Sequence, residues 1–213
     1  MFKRNNQFRQ PIRPAMSDRQ VRSPIGHFAG EAWAVRSQCR TYRYRLVRVW
    51  DSHKPRLGVV GHSWATTNEW RDPTVRRCIG FARAWGYGGI DVGNLFGLHA
   101  ADPRKLASVA DPVGPDNDAH LAAMCADSDL VVLAWGAHAC PDRARAVAHM
   151  LWHCSEDCDG SFAVLGWTER GQPRHPLYVP KDTTPECLTL GAEACGLHEA
   201  EDPRWERLLA GEA

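Results

Sequence analysis

The sequence predicts an α/β fold: a three-layer α/β/α arrangement around a mostly parallel central sheet, with an antiparallel strand on its N-terminal side. Three observations predict it. Strand-like and helix-like segments alternate from about residue 42 to residue 165. The inner strands Leu57–Gly61, Ile90–Phe96 and Leu130–Trp135 lack hydrophobic/polar alternation, as strands covered on both faces do. The helical segments between them carry start and stop signals of their own.

In chain order, residues 1–40 mix Arg, Gln, Asn, Pro and Ser without periodicity and are expected to form a basic, mobile arm. In the run 42–50, Tyr42, Tyr44 and Leu46 alternate with Arg43, Arg45 and Val47, the period of a strand. Lys54-Pro55-Arg56 makes a turn into the buried strand Leu57–Gly61. Asp72-Pro73-Thr74 starts a helix: Asp72 can cap it, and Pro73 suits the first helical position. Val75, Cys78, Ile79, Ala82 and Trp85 follow at helical spacing, and Gly86 ends the run. Strand 90–96 comes next. A loop rich in Pro and Asp then leads to a helix from Asn117 to Ala126, with Leu121, Met124 and Cys125 inward. Leu130–Trp135 is an apolar strand broken by Gly136. Pro141 opens a helix with Val147, Met150, Leu151 and Cys154 on one face. Phe162–Leu165 is a further strand. Residues 171–180 form a loop, and residues 183–213 read as a C-terminal extension with a short acidic helix near 205–209. The body proper is thus expected over residues 41–182.

Composition fits a globular chain. Of 213 residues, 44% are hydrophobic and 24% charged, and a body of this size buries roughly 70% of its unfolded surface without staples. No apolar run approaches a membrane span, and residues 1–30 hold no continuous apolar core, so a cytoplasmic chain with no membrane partner is expected. Charge is uneven. Residues 1–48 hold eleven Lys or Arg against Asp18 and Glu31, a net of +9, which leaves −8 for the rest of a chain whose total is +1. A basic arm can meet nucleic-acid phosphates. The plainer reading is a solvated tail on an acidic body, or a start at Met16, and it is preferred. The eight cysteines suggest no disulfides in this compartment. His149, His153, Cys154 and Cys158 form the one cluster with metal-ligand character, but no second Cys pair at zinc spacing accompanies it. No metal and no cofactor are expected.

Ligands of a parallel sheet bind beyond the carboxyl ends of its strands. There the chain places His62 and Ser63 after the first inner strand, Asn94 and Phe96 at the end of the second with His99 close behind, and Trp135, Gly136 and His138 after the third. Arg174 and His175 lie in the loop after the fourth. Convergence of an amide, a hydroxyl, several imidazoles and a guanidinium at one rim makes a candidate site. Gly136 followed by the helix at Pro141 offers N–H groups to an anion. No phosphate-loop or dinucleotide fingerprint occurs. A Ser63–His175–Asp102 hydrolase is disfavoured because Ser63 lacks the GxSxG elbow.

The runs Tyr42-Arg-Tyr-Arg-Leu46, Asp72-Pro-Thr-Val-Arg-Arg-Cys-Ile-Gly-Phe-Ala82, Trp85-Gly-Tyr-Gly-Gly89, Asn94-Leu-Phe96, Asp111-Pro-Val-Gly-Pro-Asp-Asn-Asp118, Ala134-Trp-Gly-Ala-His138 and Pro173-Arg-His-Pro-Leu-Tyr178 resemble the DUF1643 family of mostly bacterial proteins. That family brings no settled activity. Its motif order is similar, more distantly, to the uracil-DNA glycosylase superfamily, the nearest segment being Val131–Ala139. This second likeness implies a glycosylase-like fold. It also implies roles. Asn94 would read a base edge, and His175 would stabilise charge on the base carbonyl, with His62 and Ser63 from the first loop completing the catalytic set. Phe96 or Trp135 would wall the base, while His99, Gly136, His138, Arg174 and Tyr178 would complete binding, Arg174 and the helix start holding phosphate. The chain departs from the family at Val60-Gly-His-Ser63, where Leu-Asn-Pro-Ser is usual, and at His99-Ala-Ala-Asp102, where Arg-Ala-Thr-Asp is usual. The first loop, with Thr66, Thr67 and Glu69, has no carboxylate where the likeness requires one. The expected functions are therefore nucleobase, nucleotide or nucleic-acid processing, a binding module that has lost turnover, or a metal-binding structural protein.

Overall fold

The computed structural model describes residues 19–22, 30–63, 72–99, 106, 108–156, 161–188 and 203–212. These form eight strands and four helices. The strands are β1 (Arg19–Arg22), β2 (Glu31–Arg36), β3 (Arg43–Val49), β4 (Arg56–Gly61), β5 (Gly89–Asn94), β6 (Leu130–Leu133), β7 (Ser161–Val164) and β8 (Glu186–Leu188). The helices are α1 (Pro73–Ala84), α2 (Asn117–Ala126), α3 (Pro141–Glu156) and α4 (Pro203–Ala210). One sheet holds all the strands in the order β1-β2-β3-β5-β4-β6-β7-β8.

Only the central β5-β4-β6-β7 set is parallel; β1, β2, β3 and β8 join antiparallel. The sheet is therefore mixed, not mostly parallel as the sequence suggested. The added strands come from segments read as arm and extension. In β2, Ala32 and Ala34 are buried between half-exposed Trp33 and Val35. That short alternation is too brief to stand out among polar neighbours, yet pairing with β3 satisfies its backbone. Within the arm expected over residues 1–40, the described segments 19–22 and 31–36 are therefore strands of the sheet. The short helix expected near 205–209 is α4, which carries Arg204 and Arg207 against Glu206 and seats Trp205 and Leu208 in the core.

The helices cover both faces. Leu57, Val59, Ile90, Val92 and Val132 pack with Val75, Cys78, Phe81 and Ala82 of α1. On the other face Val60, Val131, Leu133 and Phe162 pack with side chains of α2, α3 and α4. Adjacent residues of β4 thus serve opposite cores, which is why the strand reads as unbroken apolar sequence. α1 begins as its sequence requires: Asp72 Oδ1 accepts from Thr74 N at 2.8 Å and Val75 N at 3.2 Å, with Pro73 in the first turn. Such a cap contributes about 1 kcal/mol.

β3 contradicts simple alternation, since Arg43, Arg45 and Arg48 are all buried. Arg45 Nε donates to Asp91 Oδ1 at 3.1 Å, its Nη2 pairs with Asp91 Oδ2, and Nη2 also donates to Asp127 Oδ2 at 2.9 Å. Burial works against the Arg45 charge, but the two carboxylates outweigh it and raise its pKa. Among the described residues, no helix is long and apolar enough to cross a membrane.

Candidate functional site

The carboxyl ends of β4, β5 and β6 lie side by side because their registers match. Gly61 is the Cα partner of Asn94, and Val60 that of Leu133. The strands leave the sheet together. Leu95 N donates to Gly61 O at 2.9 Å, Phe96 N to His62 O at 3.2 Å, and Ala134 N to Val60 O at 2.8 Å.

Asn94 is 4% exposed, and its side chain lies over Gly61: a Cβ on Gly61 would stand 2.4 Å from Asn94 Oδ1. Only a residue without a side chain fits beneath that amide. Its backbone is pinned from behind. Buried Asn117 Nδ2 donates to the carbonyls of Asn94 (3.0 Å) and Leu95 (3.3 Å), and Arg143 Nε donates to Leu95 O at 2.8 Å while its guanidinium pairs with Asp118.

Across the rim stand two imidazoles. The His62 ring meets Phe96 edge-on at 5.5 Å between centroids, and its Nδ1 is 3.1 Å from Ser63 Oγ. Burial lowers the His62 pKa, the nearby His138 ring adds to this, and the His138 backbone opposes it. His175 packs against Gly136. That glycine has φ +85°, and a Cβ on it would stand 3.1 Å from the His175 Cβ. His175 Nδ1 accepts from Leu177 N at 3.3 Å, so the neutral ring carries its proton on Nε2. Burial lowers its pKa; Asp72 raises it, and His62 lowers it again. His175 caps the short 3-10 turn Pro176–Tyr178. Arg77 of α1 fixes that turn by donating to the carbonyls of Pro176 (3.2 Å) and Val179.

The structure thus brings Asn94, His62, Ser63, Phe96, Gly136, His138 and His175 to one rim. The remaining candidates are placed differently. Trp135 is 2% exposed and donates from Nε1 to Gln172 Oε1 at 2.7 Å, so it lies within the core. Arg174 donates from Nε to Trp167 O at 3.0 Å, on the side of β7. His99 lies towards the antiparallel half, its Nδ1 3.3 Å from Arg36 Nη1. Tyr178 is 79% exposed, with its ring 5.5 Å from that of His175. Ser63 contacts His62 rather than His175, and Asp102, Thr66, Thr67 and Glu69 lie outside the described residues.

Asp72 was legible in the sequence only as a helix cap. It is 6% exposed and acts electrostatically on His175. It is the carboxylate that sequence reasoning missed here, and no spacing rule links it to a histidine 103 positions away. Of the metal candidates, His149, His153 and Cys154 are described and form no ligand group with other described residues. His149 Nε2 lies 2.7 Å from Leu209 O, an acceptor, so that nitrogen carries a proton and cannot ligate. Cys158 lies outside the described residues, among which no group of three or more ligating side chains occurs.

With this geometry in place, comparison with known proteins is informative. Residues 43–177 match the model of a family described as a protein of unknown function, DUF1643. The chain belongs to the DUF1643 family. The matched region runs from β3 to the turn after His175, so it spans every strand end and loop that forms the rim, while β1, β2, β8 and α4 lie outside it. No curated protein and no solved structure matches the chain.

Proposed function

We propose that this DUF1643 protein binds a nucleobase-bearing molecule at the rim formed by Asn94, His62 and His175. The observation that supports this most is the pairing of a buried amide over Gly61 with an imidazole whose Nε2 carries the proton. An amide offers a donor and an acceptor in one plane, the complement of a base edge. A neutral imidazole N–H donates to a carbonyl oxygen without placing a full charge in the pocket, and burial keeps it neutral. Phe96 beside His62 supplies apolar surface for a flat ring.

The distant likeness to uracil-DNA glycosylases extends the reading to N-glycosidic cleavage, with His175 stabilising negative charge on the departing base. Asp72 favours this second reading, because its carboxylate would stabilise a positive charge on His175. However, Asp72 Oδ1 is committed to two backbone N–H groups. Binding is therefore the primary proposal and turnover the secondary one.

The test is a titration of the full chain with free bases, nucleosides, nucleotides and uracil-containing or otherwise modified DNA, with base release followed in the same samples. Loss of about one amide's hydrogen bonds predicts roughly 10-fold weaker binding or more for Asn94→Ala and for His175→Ala. Undiminished binding in both variants would overturn the proposal.

A further inference from the structure

The rim holds a hydroxyl that base binding leaves without a role. Ser63 follows the end of β4, and β4 ends where the strand order reverses: the chain passes from β4 to β5 on one side and continues into β6 on the other. Ligands of open α/β sheets bind in the crevice at such a switch point. Ser63 is half-buried, so its hydroxyl is within reach of a ligand. Its Oγ stands 3.1 Å from Nδ1 of the neighbouring His62, the separation of a nucleophile and its base.

The His62 ring is held on its other sides. Phe96 meets it edge-on. The His138 backbone favours its charged form, as a carbonyl facing a ring N–H does and an amide N–H does not. A neutral ring that turns Nε2–H to that carbonyl keeps Nδ1 as the acceptor for the Ser63 hydroxyl. Burial lowers the His62 pKa and the His138 ring adds to this, so the ring is neutral at pH 7 and able to take a proton. His175 lies close enough to feel the charge of His62, and Asp72 acts on it from α1. It brings an Nε2–H that is not spent on Leu177, a donor suited to an oxygen that gains negative charge. From sequence, a Ser63 hydrolase lacked the GxSxG elbow and drew on His175 and Asp102. The structure supplies the base from the adjacent residue instead, so no distant triad is required.

We propose that Ser63 and His62 form a nucleophile–base pair that hydrolyses a carboxylic ester, an activity beyond base binding and independent of it. Ser63 Oγ adds to the ester carbonyl carbon while its proton passes to His62 Nδ1. The imidazolium returns that proton to the departing alcohol as its C–O bond breaks, which leaves an acyl-Ser63. Water then adds to the acyl carbon with His62 again taking a proton. The bond to Ser63 Oγ breaks, Oγ recovers the proton, and the carboxylic acid leaves. In both halves His175 Nε2–H meets the charge on the former carbonyl oxygen.

The experiment uses the full chain and two probes, an alkyl fluorophosphonate and p-nitrophenyl acetate. The fluorophosphonate should form one adduct, located on Ser63 by peptide mass mapping, with a P–O bond replacing the P–F bond, fluoride leaving and the serine proton taken by His62. The acetate should give a burst of nitrophenolate equal to the chain concentration. Ser63→Ala should abolish both signals, and His62→Gln should slow them by about 100-fold or more. Mapping is done on the wild-type chain, so it does not depend on either variant folding. There the labelling rate should rise with loss of the His62 proton and level off by pH 7, because burial holds that pKa below its ordinary value. No adduct, an adduct elsewhere than Ser63, labelling undiminished without His62, or a rate still climbing about tenfold per pH unit above pH 7 would each overturn the proposal. Neither probe carries a nucleobase, so failure here leaves the base-binding reading standing, and failure of nucleoside binding leaves this pair standing.

Discussion

Gly61 offers a test of the rim that needs no ligand. In Gly61→Ala the new Cβ would meet Asn94 Oδ1 at 2.4 Å, well inside van der Waals contact, while the nearest other atoms lie at 3.7 Å or beyond. Gly61 has no positive φ, so alanine suits the backbone. Replacing glycine there restricts the unfolded chain and stabilises by about 0.4–1 kcal/mol. Against this, the Asn94 amide must leave its buried position, at roughly 1–3 kcal/mol for disturbed polar contacts. The net expectation is a loss of about 1–2 kcal/mol, or a fall in melting temperature of about 2–8 °C for a chain of this size. Removing the obstacle reverses the sign. In an Asn94→Ala background, Gly61→Ala should cost nothing or stabilise slightly. The double-mutant cycle, read by urea unfolding, should therefore show a coupling of at least ~1 kcal/mol. Additive effects within about 0.3 kcal/mol would refute the placement of the Asn94 side chain over Gly61.

Two further outcomes follow from the buried ionisable groups. Asp91→Ala leaves the Arg45 guanidinium with Asp127 as its remaining acid partner, and should destabilise by about 3 kcal/mol. Replacing the pair together, Arg45→Met with Asp91→Leu, should recover most of that loss in denaturant unfolding, and failure to recover any would show that the pair matters through something other than an unpaired charge. For pH, burial holds the folded-state pKa of His62 and His175 below the unfolded value of about 6.5. The unfolded chain therefore binds more protons as pH falls, so these two residues contribute stability above about pH 6.5 that is lost on acidification. The unfolding midpoint should fall more between pH 7.5 and 5.5 in the wild type than in a His62→Gln, His175→Gln double variant, and equal slopes would contradict the neutral burial of the rings.

Much of this architecture was legible in the amino-acid sequence because it is encoded locally. Asp72-Pro73 marks the start of α1 through its own side chain and ring, and the apolar runs of β4 and β6 mark strands covered on both sides. The rim positions followed, since a parallel sheet presents its strand ends together and puts Gly61, Asn94 and Gly136 along one edge. What tertiary structure decided has no local signature. β1, β2 and β8 exist by pairing with neighbours rather than by strong patterns of their own, so a segment resembling an arm became part of the sheet. Trp135 and Asn94 both sit at strand ends, yet the tryptophan turns into the core towards Gln172 while the amide lies over a glycine. The nearness of Asp72 to His175 depends on which loops the packing of α1 brings together. Strand and helix identity arises from interactions a few residues apart, whereas the partners of a charged or polar side chain are chosen by contacts that exist only once distant segments have packed.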